Sequence, residues 1–200
     1  MFIENEYSFS VEENTLLKFN LYKDRDLDSS DIEKIKSHDA YEYGLTKALS
    51  FLGRRPRSRQ ETENYLQTKL GSKKLEEADR QSVLDLILNR LETLEYLDDT
   101  AFADWLIKSR TSQRKRSEKA VVQELLKFGV NEDIYAPILK QHYNKDAKSE
   151  IITKLATRKL KSSKIQGLGA KEKERKVMEY LLRKGFNYDD IKPVLNKLHF

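Results

Sequence analysis

The amino-acid sequence predicts a mainly α-helical protein: three tandem three-helix units that form an elongated, curved molecule, with a small N-terminal extension of a β-hairpin and a helix. Three observations support this prediction. Apolar residues recur at helical spacing from about residue 41 onward. Charged residues make up 36% of the chain and hydrophobic residues only 38%, which suits several small cores better than one deep core. An eleven-residue stretch also recurs 56 positions along the chain, as expected of a repeat architecture.

The first forty residues are predicted to form an acidic extension. They contain ten acidic and five basic residues, whereas the 200-residue chain has a formal net charge of +5. The remainder of the chain is therefore strongly basic. Apolar and polar residues alternate over 7–11, the period of a half-buried strand. We expect this strand to pair with residues 2–3 across a turn at 4–6.

Two serines in the extension have the spacing of a helix N-cap. Ser10 lies three residues before Glu13, and Ser30 lies three residues before Glu33. This is the pattern of a capping box. We therefore expect a short helix after Ser10 and another helix start at Ser30.

Residues 41–97 are predicted to form the first three-helix unit. Its first helix should end near Gly53, ahead of Pro56. Ser58, followed three positions later by Glu61, is expected to cap the second helix. The apolar residues assigned to the three helices are Leu45, Ala48, Leu49, Leu52, Tyr65, Leu66, Leu70, Val83, Leu84, Ile87, Leu88, Leu91 and Leu94.

The same plan restarts at residues 98–144 and again at 145–200. Ser117 is the expected cap of the second helix in the middle unit. Residues 129–139 and 185–195 share Gly, Asn, Asp, Pro and Leu at matching positions. The four apolar positions before each Gly also coincide, which makes chance agreement a poor explanation. We read the chain as three tandem units, which would stack on one another as modules.

Glycine and proline have predicted places in each unit. Gly71, Gly129 and Gly185 follow the second helix of their units, where a left-handed residue commonly closes a helix. Pro137 and Pro193 are expected in the first turn of the third helix, where a missing N–H costs little.

Three clusters of basic residues recur near the connection between the first two helices of each unit. Such clusters are the electrostatic footprint of a polyanionic partner, although they could instead be solvated faces that keep the protein soluble. The third connection, over 161–171, is longer and contains two glycines, so a mobile loop that touches the partner is expected there. The candidate binding residues are Arg54, Arg55, Arg57, Arg59, Arg110, Arg114, Lys115, Arg116, Arg158, Lys159, Lys161 and Lys164.

Several functional classes lack the residues they need. The chain has no cysteine, which excludes disulfides, thiolate zinc sites and cysteine nucleophiles. It has no phosphate-binding glycine loop. His38, His142 and His199 appear without carboxylates at helical spacing, so we expect no metal site and no cofactor. No apolar run is long enough to span a bilayer and no signal peptide opens the chain, so we expect a cytoplasmic protein with no membrane partner.

Two segments of the first unit resemble the signature of the RecX family. Residues 48–58 read Ala-Leu-Ser-Phe-Leu-Gly-Arg-Arg-Pro-Arg-Ser. Residues 91–99 read Leu-Glu-Thr-Leu-Glu-Tyr-Leu-Asp-Asp, followed by Ala-Phe-Ala at 101–103. With the three-unit plan, the resemblance covers about residues 41–200. The acidic extension resembles the additional N-terminal part of some family members.

The resemblance implies a regulatory protein without enzymatic activity. Members of the RecX family bind the RecA recombinase, lie in the helical groove of the RecA–DNA filament, and restrain its ATP hydrolysis, strand exchange and co-protease activity. The expected partners are thus RecA, the RecA–DNA filament and, weakly and without sequence preference, single- and double-stranded DNA. We expect a monomer that acts in DNA repair and the SOS response. By position, the residues that would face DNA phosphate or acidic parts of RecA are Arg54, Arg55, Arg57, Arg110 and Arg116.

The other signature residues are assigned structural roles. Asp98 or Asp99 is expected to cap a helix, a simpler interpretation than a magnesium site. Tyr96, Phe102 and Trp105 are expected to form an aromatic core that joins the first two units.

Two other functions remain open at this point. Three-helix units with a basic second helix also occur in repressors, so the chain could be a free-standing DNA-binding module of helix-turn-helix character. It could also be a helical adaptor whose basic faces bind an acidic protein.

Overall fold

The computed structural model of the chain describes residues 1–3, 6–73, 75–113, 115–198 and 200. These residues form eleven helices and one two-stranded antiparallel sheet, which confirms the mainly α-helical class. The chain divides into two compact units, Met1–Asp98 and Asp99–Phe200, each with its own apolar core. Within the described ranges, none of the helices has the length and apolar character needed to cross a membrane.

The first compact unit begins with the N-terminal hairpin. Helix α2 packs against α3 and α4, which also pack against each other. Helix α2 lies close to α4 at Gly44: a Cβ added there would lie 2.5 Å from Ile87 Cδ1, so the Ile87 side chain would have to shift. The elements of this unit are β1 (Phe2–Ile3), β2 (Glu6–Tyr7), α1 (Glu13–Lys18), α2 (Ser29–Leu52), α3 (Arg59–Leu70) and α4 (Glu77–Thr93).

The extension differs from the sequence prediction in its details. Strand β1 pairs antiparallel with β2, but residues 8–11 belong to no strand. The expected turn falls largely on residues 4 and 5, which lie outside the described residues.

The expected serine caps of the extension are both wrong. Helix α1 begins after Glu12, and the backbone N–H of Glu12 donates to Asp39 Oδ1 at 2.6 Å. Helix α2 is capped by Asp28, whose side chain accepts from the backbone N–H of Asp31 at 2.7 Å. Because this aspartate already satisfies a free N–H of the first turn, α2 starts earlier than expected. The same helix continues through residue 40, where the sequence predicted a domain boundary.

The second compact unit contains seven helices within its described residues. Helix α5 packs against α6 and α7, and α8 packs against α10 and α11. A single apolar cluster includes buried residues from both groups, from Phe102 to Leu195. The helices are α5 (Asp99–Ser112), α6 (Glu118–Lys127), α7 (Glu132–His142), α8 (Lys145–Leu160), α9 (Ser163–Gln166), α10 (Ala170–Arg183) and α11 (Tyr188–Leu195).

The special residues of the repeat are partly as expected. Gly129 and Gly185 adopt left-handed φ values of 72° and 87°, which confirms the prediction for them. Gly71 has a φ of −58°, so the prediction is wrong there. Pro137 and Pro193 are each the sixth residue of their helices rather than part of the first turn, because the polar residues after the glycine form that turn.

The aromatic core assignment also needs correction. Phe102 is fully buried and Trp105 packs near it, with ring centroids 6.0 Å apart. Tyr96, in contrast, is 55% exposed, so its expected place in a core is wrong. The division of the chain at 1–40, 41–97, 98–144 and 145–200 stays a proposal.

Candidate nucleic-acid interface

At the connection between α2 and α3, an arginine packs on an aromatic stack. Phe51 at the end of α2 stacks on Tyr65 of α3, with ring centroids 4.0 Å apart and an interplanar angle of 2°. The Arg57 Cζ lies 3.8 Å from the centroid of the Phe51 ring, within the range of a cation–π interaction. The Arg57 side chain is only 13% exposed. Arg57 is therefore part of the packing between α2 and α3.

Acidic side chains neutralise most of this first connection. Arg55 Nη2 lies 2.6 Å from Glu61 Oε1, and Arg57 pairs with the same carboxylate. Arg59 Nε lies 2.7 Å from Glu92 Oε1. The sequence prediction placed these three arginines against a partner, whereas the structure gives each an internal acid.

Arg54 differs from its neighbours in the first connection. It is exposed and, within the described part of the chain, has no acidic partner. Ser58 next to this connection caps α3 as expected, since its Oγ accepts from the Glu61 backbone N–H at 3.1 Å.

The connection between α5 and α6 repeats the arrangement. Arg110 Nε lies 2.6 Å from Glu124 Oε2, and Arg116 Nη1 lies 2.8 Å from Glu124 Oε1. Ser117 caps α6 as expected, accepting from the Ala120 backbone N–H at 3.3 Å. In each of these two connections, one glutamate of the following helix thus binds two arginines.

A buried tyrosine fixes the backbone of the second connection. Tyr143 Oη donates to the Arg116 carbonyl at 3.0 Å, and burial raises the pKa of Tyr143 far above its usual value. Lys115 adopts a left-handed backbone, with φ at 50°, and its Nζ donates to the Ser112 carbonyl at 2.5 Å. Arg114, also a predicted binding residue, lies outside the described residues.

Sequence reasoning missed Glu61 and Glu124 as partners of the basic connections. Glu61 lies three residues after the cap Ser58, and Glu124 lies seven residues after the cap Ser117. Spacings of three and seven place a side chain on the same helix face. This spacing could have predicted the ion pairs, because a glutamate on the same helix face as the capping serine points toward the connection before the helix.

The connection between α8 and α10 differs from the other two. It contains the short helix α9, in which Ile165 is 2% exposed, so the expected loop over 161–171 is wrong across α9. Arg158, Lys161 and Lys164 are exposed and have no acidic partner within the described ranges. Lys159 is half-buried, with its Nζ 5.3 Å from the centroid of the Tyr180 ring.

The three connections therefore differ in how many of their cations lie against a carboxylate. An arginine in contact with a carboxylate contributes little long-range field, whereas an exposed, unpaired lysine keeps its full charge. Among the predicted binding residues that the structure describes, the exposed cations available to an anion are Arg54 in the first compact unit and, in the second, Arg158, Lys161 and Lys164.

The expectation that the histidines lack carboxylates at helical spacing is wrong for His38, which lies four residues before Glu42, with Nε2 to Oε1 at 3.8 Å. His142 has a carboxylate neighbour that is distant in the chain, since its Nε2 lies 3.1 Å from Asp104 Oδ1. The hydrogen bond from Lys108 is the main cause of the lowered pKa of Asp104. His199 lies outside the described residues, and the described ones contain no group of three candidate metal ligands.

The fold and these connections define a class of helical proteins built from three-helix domains, with basic inter-helix connections. Residues 146–195 match the family described as "RecX, third three-helix domain". The chain is 31% identical over 200 residues to the Regulatory protein RecX of Bacillus licheniformis, covering 100% of this chain and 72% of that relative. The chain belongs to the RecX family, which confirms the resemblance.

Other relatives and solved structures agree with this assignment. The Regulatory protein RecX of Listeria monocytogenes is 30% identical over 187 residues, 93% of this chain and 65% of that relative. The present chain therefore spans about two thirds of the length of the Listeria relative.

Two crystal structures share the fold. One, of regulatory protein RecX, has a TM-score of 0.72 at 21% identity and covers 98% of this chain and 91% of its own. The other, of RecX from Lactobacillus salivarius, has a TM-score of 0.68 at 23% identity and covers 80% of this chain and 97% of its own.

Proposed function

We propose that this chain binds the RecA recombinase and its DNA filament, and mainly inhibits the ATPase, strand-exchange and co-protease activities of RecA. The single observation that carries the proposal is membership of a family whose matched relatives are named regulatory proteins. The chain would act as a cytoplasmic monomer in DNA repair and the SOS response, and would catalyse no reaction itself.

The basic connections support a partner that carries negative charge. Exposed cations without acidic neighbours attract a polyanion at long range and release its counterions on contact. Such contacts carry no sequence information. The chain's own affinity for single- and double-stranded DNA should therefore be weak, salt-sensitive and independent of sequence.

An ATPase assay with RecA on single-stranded DNA tests the proposal. We expect the chain, added in substoichiometric amounts, to lower the rate of ATP hydrolysis and to sediment with RecA–DNA filaments. An unchanged rate together with no co-sedimentation would refute the proposal. Tight, sequence-selective binding to duplex DNA without RecA would instead favour a free-standing DNA-binding module.

A further inference from the structure

We infer that the α8–α10 basic surface, defined as Arg158, Lys161, Lys164 and Lys171, contacts the phosphate backbone of DNA, whereas the paired arginines of the other connections hold helices together. The inference rests on the proposed function. Of the two proposed partners, RecA and DNA, it assigns DNA to the α8–α10 basic surface.

The absence of nearby acidic residues in the sequence distinguishes this surface from the other basic clusters. No acidic residue occurs in the sequence between Glu150 and Glu172. The four side chains of the α8–α10 basic surface are exposed, and none has an acidic partner within the described part of the chain. At the first connection, in contrast, Glu61 alone engages both Arg55 and Arg57.

The surface is also held in place by packing. Ile165 of α9 is 2% exposed, and α9 contacts both α8 and α10. Lys164 directly precedes this buried residue and Lys161 lies four residues before it, so their backbones are anchored before any partner binds. Anchoring reduces the conformational entropy lost on binding.

The composition of the surface favours a phosphate backbone over a protein partner. Protein interfaces have an apolar or aromatic core that provides most of the binding energy. Between residues 145 and 181, no large hydrophobic side chain is exposed among those that the structure describes. Contacts with phosphate need only cations, which this surface supplies.

DNA binding by a triple variant tests the inference. In R158Q/K161Q/K164Q the charge falls while side-chain length is largely kept. The matched control, K127Q/K140Q/K145Q, removes the same charge from exposed residues of the same compact unit. Lys145 begins α8, and Arg158 lies thirteen residues further along the same helix, so these two residues are about 20 Å apart. Thermal unfolding of both variants checks that the fold is kept.

The readout is the salt dependence of binding to a fluorescent duplex oligonucleotide of mixed sequence, without RecA. Losing three phosphate contacts should reduce the slope of log K against log [salt] by about 2.7. Between 50 and 200 mM salt, the parent chain should therefore lose roughly 40-fold more affinity than the triple variant. The control should keep the slope of the parent, and Lys164→Gln alone should reduce it by about 0.9.

The outcomes separate this inference from the proposed function. The inference is overturned if the triple variant has the same salt-dependence slope as the parent chain. It is also overturned if the parent chain has no affinity for DNA. Normal DNA binding with lost inhibition of RecA ATPase also overturns it, and would assign the surface to RecA. If the parent chain neither inhibits RecA ATPase nor sediments with RecA–DNA filaments, but the triple variant shows the expected loss of slope, the proposed function fails and the phosphate assignment stands.

Discussion

The first connection and the α8–α10 connection look alike in sequence and differ in structure. Each is rich in Arg and Lys and leads into a helix. In the first, Arg55, Arg57 and Arg59 contact acids of the same compact unit. In the second, Arg158, Lys161 and Lys164 have no such partner within the described ranges. A basic cluster in sequence therefore does not by itself identify a binding surface.

The difference follows from side-chain type as well as from nearby acids. The first connection uses arginine, whose planar guanidinium can stack on an aromatic ring and bind a carboxylate at the same time. Arg57 does both, against Phe51 and Glu61. The α8–α10 connection uses mostly lysine, whose ammonium group is a compact charge on a flexible chain and binds phosphate as a point charge rather than through a planar fork. No acidic residue occurs over 151–171, and within the described residues none of these lysines has an acidic partner.

The largest effect is expected for Gly185→Ala, which compares the helix ends of the two compact units. Gly185 has φ at 87°, and an added Cβ would lie 2.8 Å from Ser117 Oγ, which donates to the Lys184 carbonyl. We expect a loss of about 2–4 kcal/mol in the free energy of unfolding, measured by chemical denaturation. Gly53→Ala is the control, since Gly53 has φ at −62°, and it should change stability by less than about 1 kcal/mol. Equal losses in both variants would contradict the comparison.

The next effect concerns the arginines of the first connection. Arg57→Ala removes the contact with Phe51 and leaves the half-buried Glu61 with one fewer cation. We expect it to lower the free energy of unfolding by about 2 kcal/mol, whereas Arg54→Ala should change it by less than about 0.5 kcal/mol. Urea unfolding of the two variants provides the measurement. If Arg57→Ala were as stable as the parent chain but bound DNA more weakly, Arg57 would be a binding residue rather than a structural one.

The smallest effect compares how the helices after the two connections begin. Ser58 is fully buried and caps α3, so Ser58→Ala should cost about 1 kcal/mol. Helix α10 follows Gly169, which has no side-chain cap, and a Cβ added at Gly169 would meet open space. Gly169→Ala should therefore change the unfolding midpoint very little. A larger loss at Gly169 than at Ser58 would show that the α8–α10 connection is under constraints beyond those described.

Local patterns in the sequence predicted much of the fold. Helical spacing of apolar residues identified α3, α4, α6 and α10, because a helix must bury one continuous face. Ser58 and Ser117 were recognised as caps from the residues beside them, since capping is a contact over three positions. The left-handed residues Gly129 and Gly185 followed from the repeat.

The errors arose where the competing groups are distant in the chain or nearly equivalent. Asp28 replaced Ser30 as the cap of α2, because two residues of similar capping strength lie two positions apart. Glu12 binds Asp39 from 27 positions away, and His142 meets Asp104 from 38 positions away. No spacing rule within one helix could predict such pairs.

The sequence by itself determined the helical class, the family resemblance and the positions of the basic residues, because each depends on residues that are close together in the chain. Only the tertiary structure decided which of those basic residues are neutralised. Whether an arginine is available to a partner depends on which acids the packing brings within about 4 Å of it, since the Coulomb interaction is strong at that range. Glu61 and Glu92 come that close to the first connection, and the α8–α10 basic surface remains charged.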